Sequence, residues 1–159
     1  MVENKKINVQ IEEINFRESL SEVLESISTL VIDTKAIINV YFFKFENILF
    51  NKAYLKSIFL NLLTNSIKYT KPDQAPNINI TTRKSNGVHQ LIFSDDGLGF
   101  DMDKVKNKIF GLYEKFHSHI DSNGIGLYLV YNHVTSLGGK ITVESEINKG
   151  AKFIISFKY

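Results

Sequence analysis

The sequence contains no cysteine, which excludes disulfides, thiolate catalysis and cysteine-ligated zinc and suits a reducing compartment. No apolar run approaches the roughly 18 residues that a membrane span requires, and the opening MVENKKIN lacks the apolar centre of a signal peptide. A soluble, cytoplasmic chain that makes no membrane contact is therefore expected. Neither sign of charge dominates: 19 basic against 17 acidic residues leave +2, spread without runs. That balance carries no polyanion footprint, so nucleic acid is not an expected partner. The phosphate-binding signature GxxxxGK[ST] is absent, and no GxGxxG follows a strand. Internal repeats and low-complexity tracts are absent too. What remains is 159 residues, 43% of them hydrophobic and 23% charged, enough for one well-buried core and short for two. A polar lead-in or linker over 1–7 and one domain over 8–159 are expected.

The stretch YLKSIFLNLLTNSIKYT, residues 54–70, dominates the pattern. At about 100° per residue, Leu55, Phe59, Leu62, Leu63 and Ser66 share one side, while Asn61, Asn65 and Lys68 form a stripe on the other. Asn51 is placed to cap this helix and Pro72 lies just past its end. Earlier, Ile7, Val9 and Ile11 alternate as a half-buried strand would. Asn15 with Glu18 then forms a capping box, opening one amphipathic helix that runs to Leu30 and Val31. Residues 37–45 are β-branched and aromatic, a strand by propensity, and 48–50 add a short one.

Residues 77–85 and 88–94 alternate on either side of Asn86-Gly87, a strong hairpin signal. The second run leads into Asp95-Asp96-Gly97-Leu98-Gly99. Residues 100–123 follow with no clear period, a long excursion of the kind that is usually functional or disordered. Gly124 to Leu137 reads as a third helix, stopped by Gly138-Gly139, and a hairpin around Asn148-Lys149-Gly150 closes the chain. The order predicts an α+β fold: a two-layer α/β sandwich with a mixed sheet of about five or more strands, three main helices on one face and the other face largely open.

Three groups carry possible chemistry. A strand delivering Asp95 into a turn with Gly97 and Gly99 fixes a carboxylate at a sheet end and lets backbone approach a flat ligand. Gly124 and Gly126 lie where the aperiodic segment becomes a helix, whose free amides can hold phosphates. Asn61, Asn65 and Lys68 supply amides and a cation on the central helix. Taken singly, each has a bland counterpart: solvated asparagines, an Asp-Gly turn, a flexible loop.

In order, NLLTNSIKYT, DDGLGF, IFGLYEKF, NGIGLYLV, GGKITVES and KGAKF resemble the N, G1, F and G2 boxes and closing hairpin of the histidine-kinase catalytic domain. That family belongs with the gyrase, heat-shock chaperone and mismatch-repair ATPases, and the resemblance covers residues 11 to 158. It implies a Bergerat-type ATP-binding fold, ATP and Mg²⁺ as cofactors, and transfer of the γ-phosphate to a histidine on a dimerisation domain absent from this chain. A response regulator is the implied indirect partner, and the isolated domain is expected to be monomeric.

The resemblance assigns Mg²⁺ to Asn65, a phosphate to Lys68, adenine to Tyr69 and Asp95, and close approach to Gly97 and Gly99. Phe110 and Phe116 fall in a mobile lid over about 100–123, with core packing as the other possibility for both. Gly124, Ile125, Gly126 and Leu127 fall beneath the phosphates. Asn61, with Asn65 and Lys68 expected to be catalytic, stands where ATP-hydrolysing relatives carry a glutamate. An asparagine is not a general base, so transfer fits better than hydrolysis. Three positions depart from the pattern: Asp96 for the commoner asparagine, Ser122 for a glycine, and Ala151 for Ser or Thr. A serine kinase of the anti-sigma-factor type and a non-catalytic nucleotide-binding module are the alternatives. His117, His119 and Asp121 lack the spacing of a preorganised zinc site; His89 and His133 read as structural.

Overall fold

The computed structural model describes residues 9–105, 109, 110 and 123–158, with the backbone alone at 123–125. Strands β1 (Glu12–Asn15), β2 (Ile37–Tyr41), β3 (Asn47–Phe50), β4 (Asn77–Ser85), β5 (Val88–Asp95), β6 (Lys140–Glu146) and β7 (Gly150–Ser156) alternate with helices. The helices are α1 (Phe16–Ser26), α2 (Ser28–Thr34), α3 (Lys52–Lys68), α4 (Met102–Val105) and α5 (Asn123–Ser136). Five strands form one mixed sheet in the order β2-β4-β5-β7-β6, and β1 pairs with β3 in a separate two-stranded ribbon. Only β2–β4 runs parallel within the larger sheet; the other pairs are antiparallel.

Register divides the sheet into two faces. Ile80, Phe93, Phe153 and Val143 lie in one row across four strands, and Thr82, Leu91, Ile155 and Ile141 in the next. These rows face Phe16, Leu20, Leu55, Phe59 and Leu62 of the helices in one core. The opposite face is open and polar, with Asn39 donating to Asn77 and Asn79 at 3.1 and 3.0 Å and Arg83 to Gln90. The two-layer α+β expectation holds.

Local departures have local causes. The expected strand over Ile7, Val9 and Ile11 is displaced: Ile7 lies outside the described residues, and the strand is Glu12–Asn15, which turns Ile14 inward and leaves Ile11 46% exposed. Asn15 caps α1, its Oδ1 accepting from Glu18 N at 3.0 Å. The single helix expected to reach Val31 breaks at Ile27 (φ −111°, ψ 21°). Just before the break, Ser26 Oγ donates to Val23 O at 2.6 Å, competing with the helical amide for that carbonyl. Asn51 caps α3 as expected, accepting from Tyr54 N at 3.0 Å while its own amide donates to Gln10 O. The Asn86-Gly87 turn has φ of 49° and 79°, the left-handed pair that a tight hairpin requires.

Candidate nucleotide site

Helix α3 positions the site because neighbours hold both of its flanks. The polar stripe expected along it is only partly exposed. Lys68 is exposed and Asn61 half-buried, but Asn65 is buried at 5% exposure. On this flank α5 packs against α3, with Gly126 against Asn61. Asn65 Oδ1 is buried without a hydrogen-bond partner among the described residues. Such an orphan costs about 1–3 kcal/mol, and a neutral amide oxygen is a donor type suited to a hard divalent cation.

Beyond α3, the Asp95 carboxylate is held by three donors. Oδ1 accepts from Gly97 N at 3.0 Å and Ala151 N at 3.2 Å; Oδ2 accepts from Ser66 Oγ at 2.8 Å. One oxygen is saturated by backbone, and the other keeps acceptor capacity beside a serine from α3. The turn after Asp95 is clamped on both sides. Tyr69 O accepts from Leu98 N at 2.8 Å, and a Cβ on Gly97 would lie 2.5 Å from that same carbonyl. On the other side Asn148 N donates to Leu98 O and Phe100 N to Ser145 Oγ. Gly99 (φ 67°) abuts Glu146 O, and Gly150 (φ 93°) abuts Asp95 O, so neither position accepts a side chain.

The structure thus brings α3, the Asp95 turn and the tip of the β6–β7 hairpin together. It brings α5 to α3 from the other flank, where a Cβ on Gly126 would meet Asn61 Oδ1 at 2.8 Å. Tyr69 ends α3, with Lys68 Nζ 5.9 Å from its ring centroid and Phe100 edge-on at 6.3 Å. Leu127 points into the core at 2% exposure, so only its backbone is available to a ligand. Phe110 stacks on Tyr131 at 5.7 Å and meets Phe153 at 6.4 Å, a packing contact. Residues 106–108 and 111–122 lie outside the described residues, and with them most of the expected lid, Phe116, the His117, His119 and Asp121 group, and Ser122; of Ile125 only the backbone is described.

Sequence reasoning missed several neighbours. Ser66 was assigned to the packing side, yet it donates to Asp95; its signal was a hydroxyl among leucines and isoleucines. Asp96 accepts from Asn77 N at 3.3 Å, tying the turn after β5 to the start of β4. His89 is structural, edge-on to Phe45 at 4.6 Å. His133 joins the two helices, its Nε2 lying 3.2 Å from Ser57 Oγ, which also meets Asn61. Among the described residues no group of three metal-ligating side chains occurs, and no helix is long and apolar enough to cross a membrane.

The sequence profile of the histidine kinase-, DNA gyrase B- and HSP90-like ATPases matches residues 51–159. The chain belongs to that family. Among relatives of this ATPase-family chain, the sensor protein RprX of Bacteroides fragilis is 25% identical over 98% of this chain and 31% of its own length. The methanogenesis regulatory histidine kinase FilI of Methanothrix harundinacea is 36% identical over 57% of this chain and 10% of its own length. The chain therefore spans less than a third of these curated relatives. Its fold is that of the catalytic domain of histidine kinase ThkA, with a TM-score of 0.78 at 21% identity over 94% of this chain and 95% of that one.

Proposed function

We propose that this ATPase-family domain is the kinase module of a two-component sensor histidine kinase. It binds Mg-ATP and passes the γ-phosphate to a histidine on a dimerisation domain, from which a response regulator is served in the cytoplasm. The observation that carries the proposal is Asn65 Oδ1, a buried acceptor without a partner among the described residues, one helical turn from Asn61. Asn65 holds the cation, and Mg²⁺ when bound supplies charge neutralisation across the phosphate oxygens. Asp95 accepts from the exocyclic amine of adenine through Oδ2, the oxygen that Ser66 leaves open on one side. Tyr69 lies along the base, Gly97 and Gly99 let the backbone approach it, and Lys68 reaches a phosphate.

Transfer forms a bond from an imidazole nitrogen to the γ-phosphorus as the bond to the bridging oxygen breaks, its electron pair leaving with ADP. Such chemistry asks the protein for positioning and charge rather than covalent help. Asn61 offers no base to activate water, which favours a protein nucleophile over hydrolysis. The test is incubation with Mg-ATP alone and with the histidine-bearing domain of a sensor kinase. Acid-labile phosphate is expected on the added domain only, and loss of the signal is expected with Asn65→Ala. Phosphotransfer unaffected by Asn65→Ala, or brisk hydrolysis by the chain alone, would overturn the proposal.

A further inference from the structure

The amide of Asn61 is held in one orientation by Ser57, one turn back on α3. Its Nδ2 donates to Ser57 O at 2.8 Å and to Ser57 Oγ at 3.1 Å. A backbone carbonyl only accepts, so the atom against it must be the amide nitrogen. That forces Oδ1 to the other side, where it lies against Gly126 at the start of α5. Ser57 Oγ, already accepting from Asn61, lies 3.2 Å from His133 Nε2. His133 in turn is fixed by stacking on Tyr54, with ring centroids 4.2 Å apart and planes 28° from parallel. Tyr54, Ser57 and Asn61 are on α3, and His133 is two turns along α5 from Gly126. The contact between the two helices is thus also the support for the Asn61 side chain.

We propose that the Ser57 hydroxyl and His133 are positioning groups that reinforce the flip state of Asn61 set by the Ser57 carbonyl, so that this asparagine presents an acceptor and never a donor at the phosphate end. The inference rests on the kinase reading only for what Asn61 meets; the lock itself is a property of the two helices. An acceptor there repels a bare phosphate oxygen. It suits a group that carries a proton, either an N–H of the incoming imidazole or a water on the phosphates. A flipped amide would do the reverse and clamp the phosphate through its NH₂, holding the ground state instead of steering the nucleophile. Burial keeps the His133 imidazole neutral, pushing its pKa below the ordinary value. A neutral ring with the proton on Nδ1 leaves Nε2 free to accept from Ser57.

Nitrogen-15 NMR of the chain, with Ser57→Ala and Ser57→Thr beside wild type, tests the lock. In wild type the neutral His133 is expected as the Nδ1–H tautomer. The Asn61 side-chain amide protons are expected to exchange roughly tenfold more slowly than in Ser57→Ala, because a buried hydrogen bond protects them. Ser57→Thr keeps the hydroxyl and should restore both signatures, which a purely packing role for Ser57 would not predict. Phosphotransfer to a supplied histidine domain should fall roughly tenfold in rate for Ser57→Ala, with the affinity for ATP nearly unchanged, as expected of lost orientation rather than lost binding. An Nε2–H tautomer, or equal Asn61 exchange in wild type and Ser57→Ala, would overturn the reinforcement by the Ser57 hydroxyl and His133. Failure of Mg-AMPPNP to shift any resonance of Asn61, Asn65 or Asp95 would count against the kinase reading instead, leaving the tautomer and exchange results to judge the lock.

Discussion

Replacing Asp95 by asparagine separates the two jobs of that side chain, because its oxygens have different partners. Gly97 N and Ala151 N both donate to Oδ1, so the asparagine must keep its carbonyl oxygen there, and its NH₂ takes the place of Oδ2. Ser66 Oγ, which donates to Oδ2 in the wild type, can rotate to accept. Folding then loses only charge assistance: bonds worth about 1.5–3 kcal/mol become neutral ones worth about 0.5–1.5. The loss is not additive over three contacts, and a fall of about 2 kcal/mol in stability is expected. The effect on ligand is larger. The exocyclic amine of adenine now faces a second NH₂, so a charge-assisted bond becomes a donor–donor clash, about 3 kcal/mol or roughly 100-fold in affinity. Guanine presents a carbonyl oxygen at the same place, so the preference for ATP over GTP should shrink or reverse. Titration calorimetry with both nucleotides, beside urea denaturation, reads the two effects separately. A folded variant with unchanged affinity and unchanged adenine preference would refute the assignment of the base to Asp95.

Asn65→Leu removes, at similar volume, a buried oxygen that has no partner among the described residues, so the nucleotide-free protein should gain about 1 kcal/mol in urea denaturation, while magnesium should no longer tighten ATP binding. Gly150→Ala forces a β-carbon against Asp95 O at a backbone φ of 93° and should cost about 3 kcal/mol or more; a midpoint near wild type would mean that this contact relaxes easily. The pKa of His133 is lowered in the fold, by burial, from its ordinary 6.5, so the unfolded chain takes up its proton first as pH falls. The associated stability is complete above that ordinary value and is lost as pH drops through the folded pKa. His133→Gln should flatten this decline between neutrality and mild acid. Glu22, whose carboxyl is held low first by its hydrogen bond with Lys56, titrates from its ordinary 4.5 downward and leaves that window clear.

Much of the fold was legible because its signals are local. Asn51 and Asn15 cap helices as their spacing predicts, and Asn86-Gly87 places the β4–β5 hairpin. The break at Ile27 was hidden because hydrophobic periodicity continues through it, and periodicity reports a buried face rather than an unbroken backbone. The burial of Asn65 was hidden for a related reason: a helical wheel cannot know which tertiary neighbours will cover the polar flank. The long-range contacts of the site escaped altogether. Ser66 to Asp95 and Ser57 to His133 join residues 29 and 76 positions apart, and no window of sequence contains both partners. Gly150 read as a turn glycine; its closeness to Asp95 O emerges only once β5 and β7 are paired.

The dependence of Asp95 on Ala151, and of Gly99 on Glu146 and Gly150, also orders events during synthesis. Asn61, Asn65 and Asp95 leave the ribosome well before the strand that holds the carboxylate in place. On the reading that Asp95 takes the base, its pocket has no floor until β7 docks beside β5, and nucleotide is then expected neither to template the nascent chain nor to rescue one cut short of that strand. On that reading the pocket is among the last features to form, and a translating polypeptide is expected to stay blind to ATP until its sheet is complete.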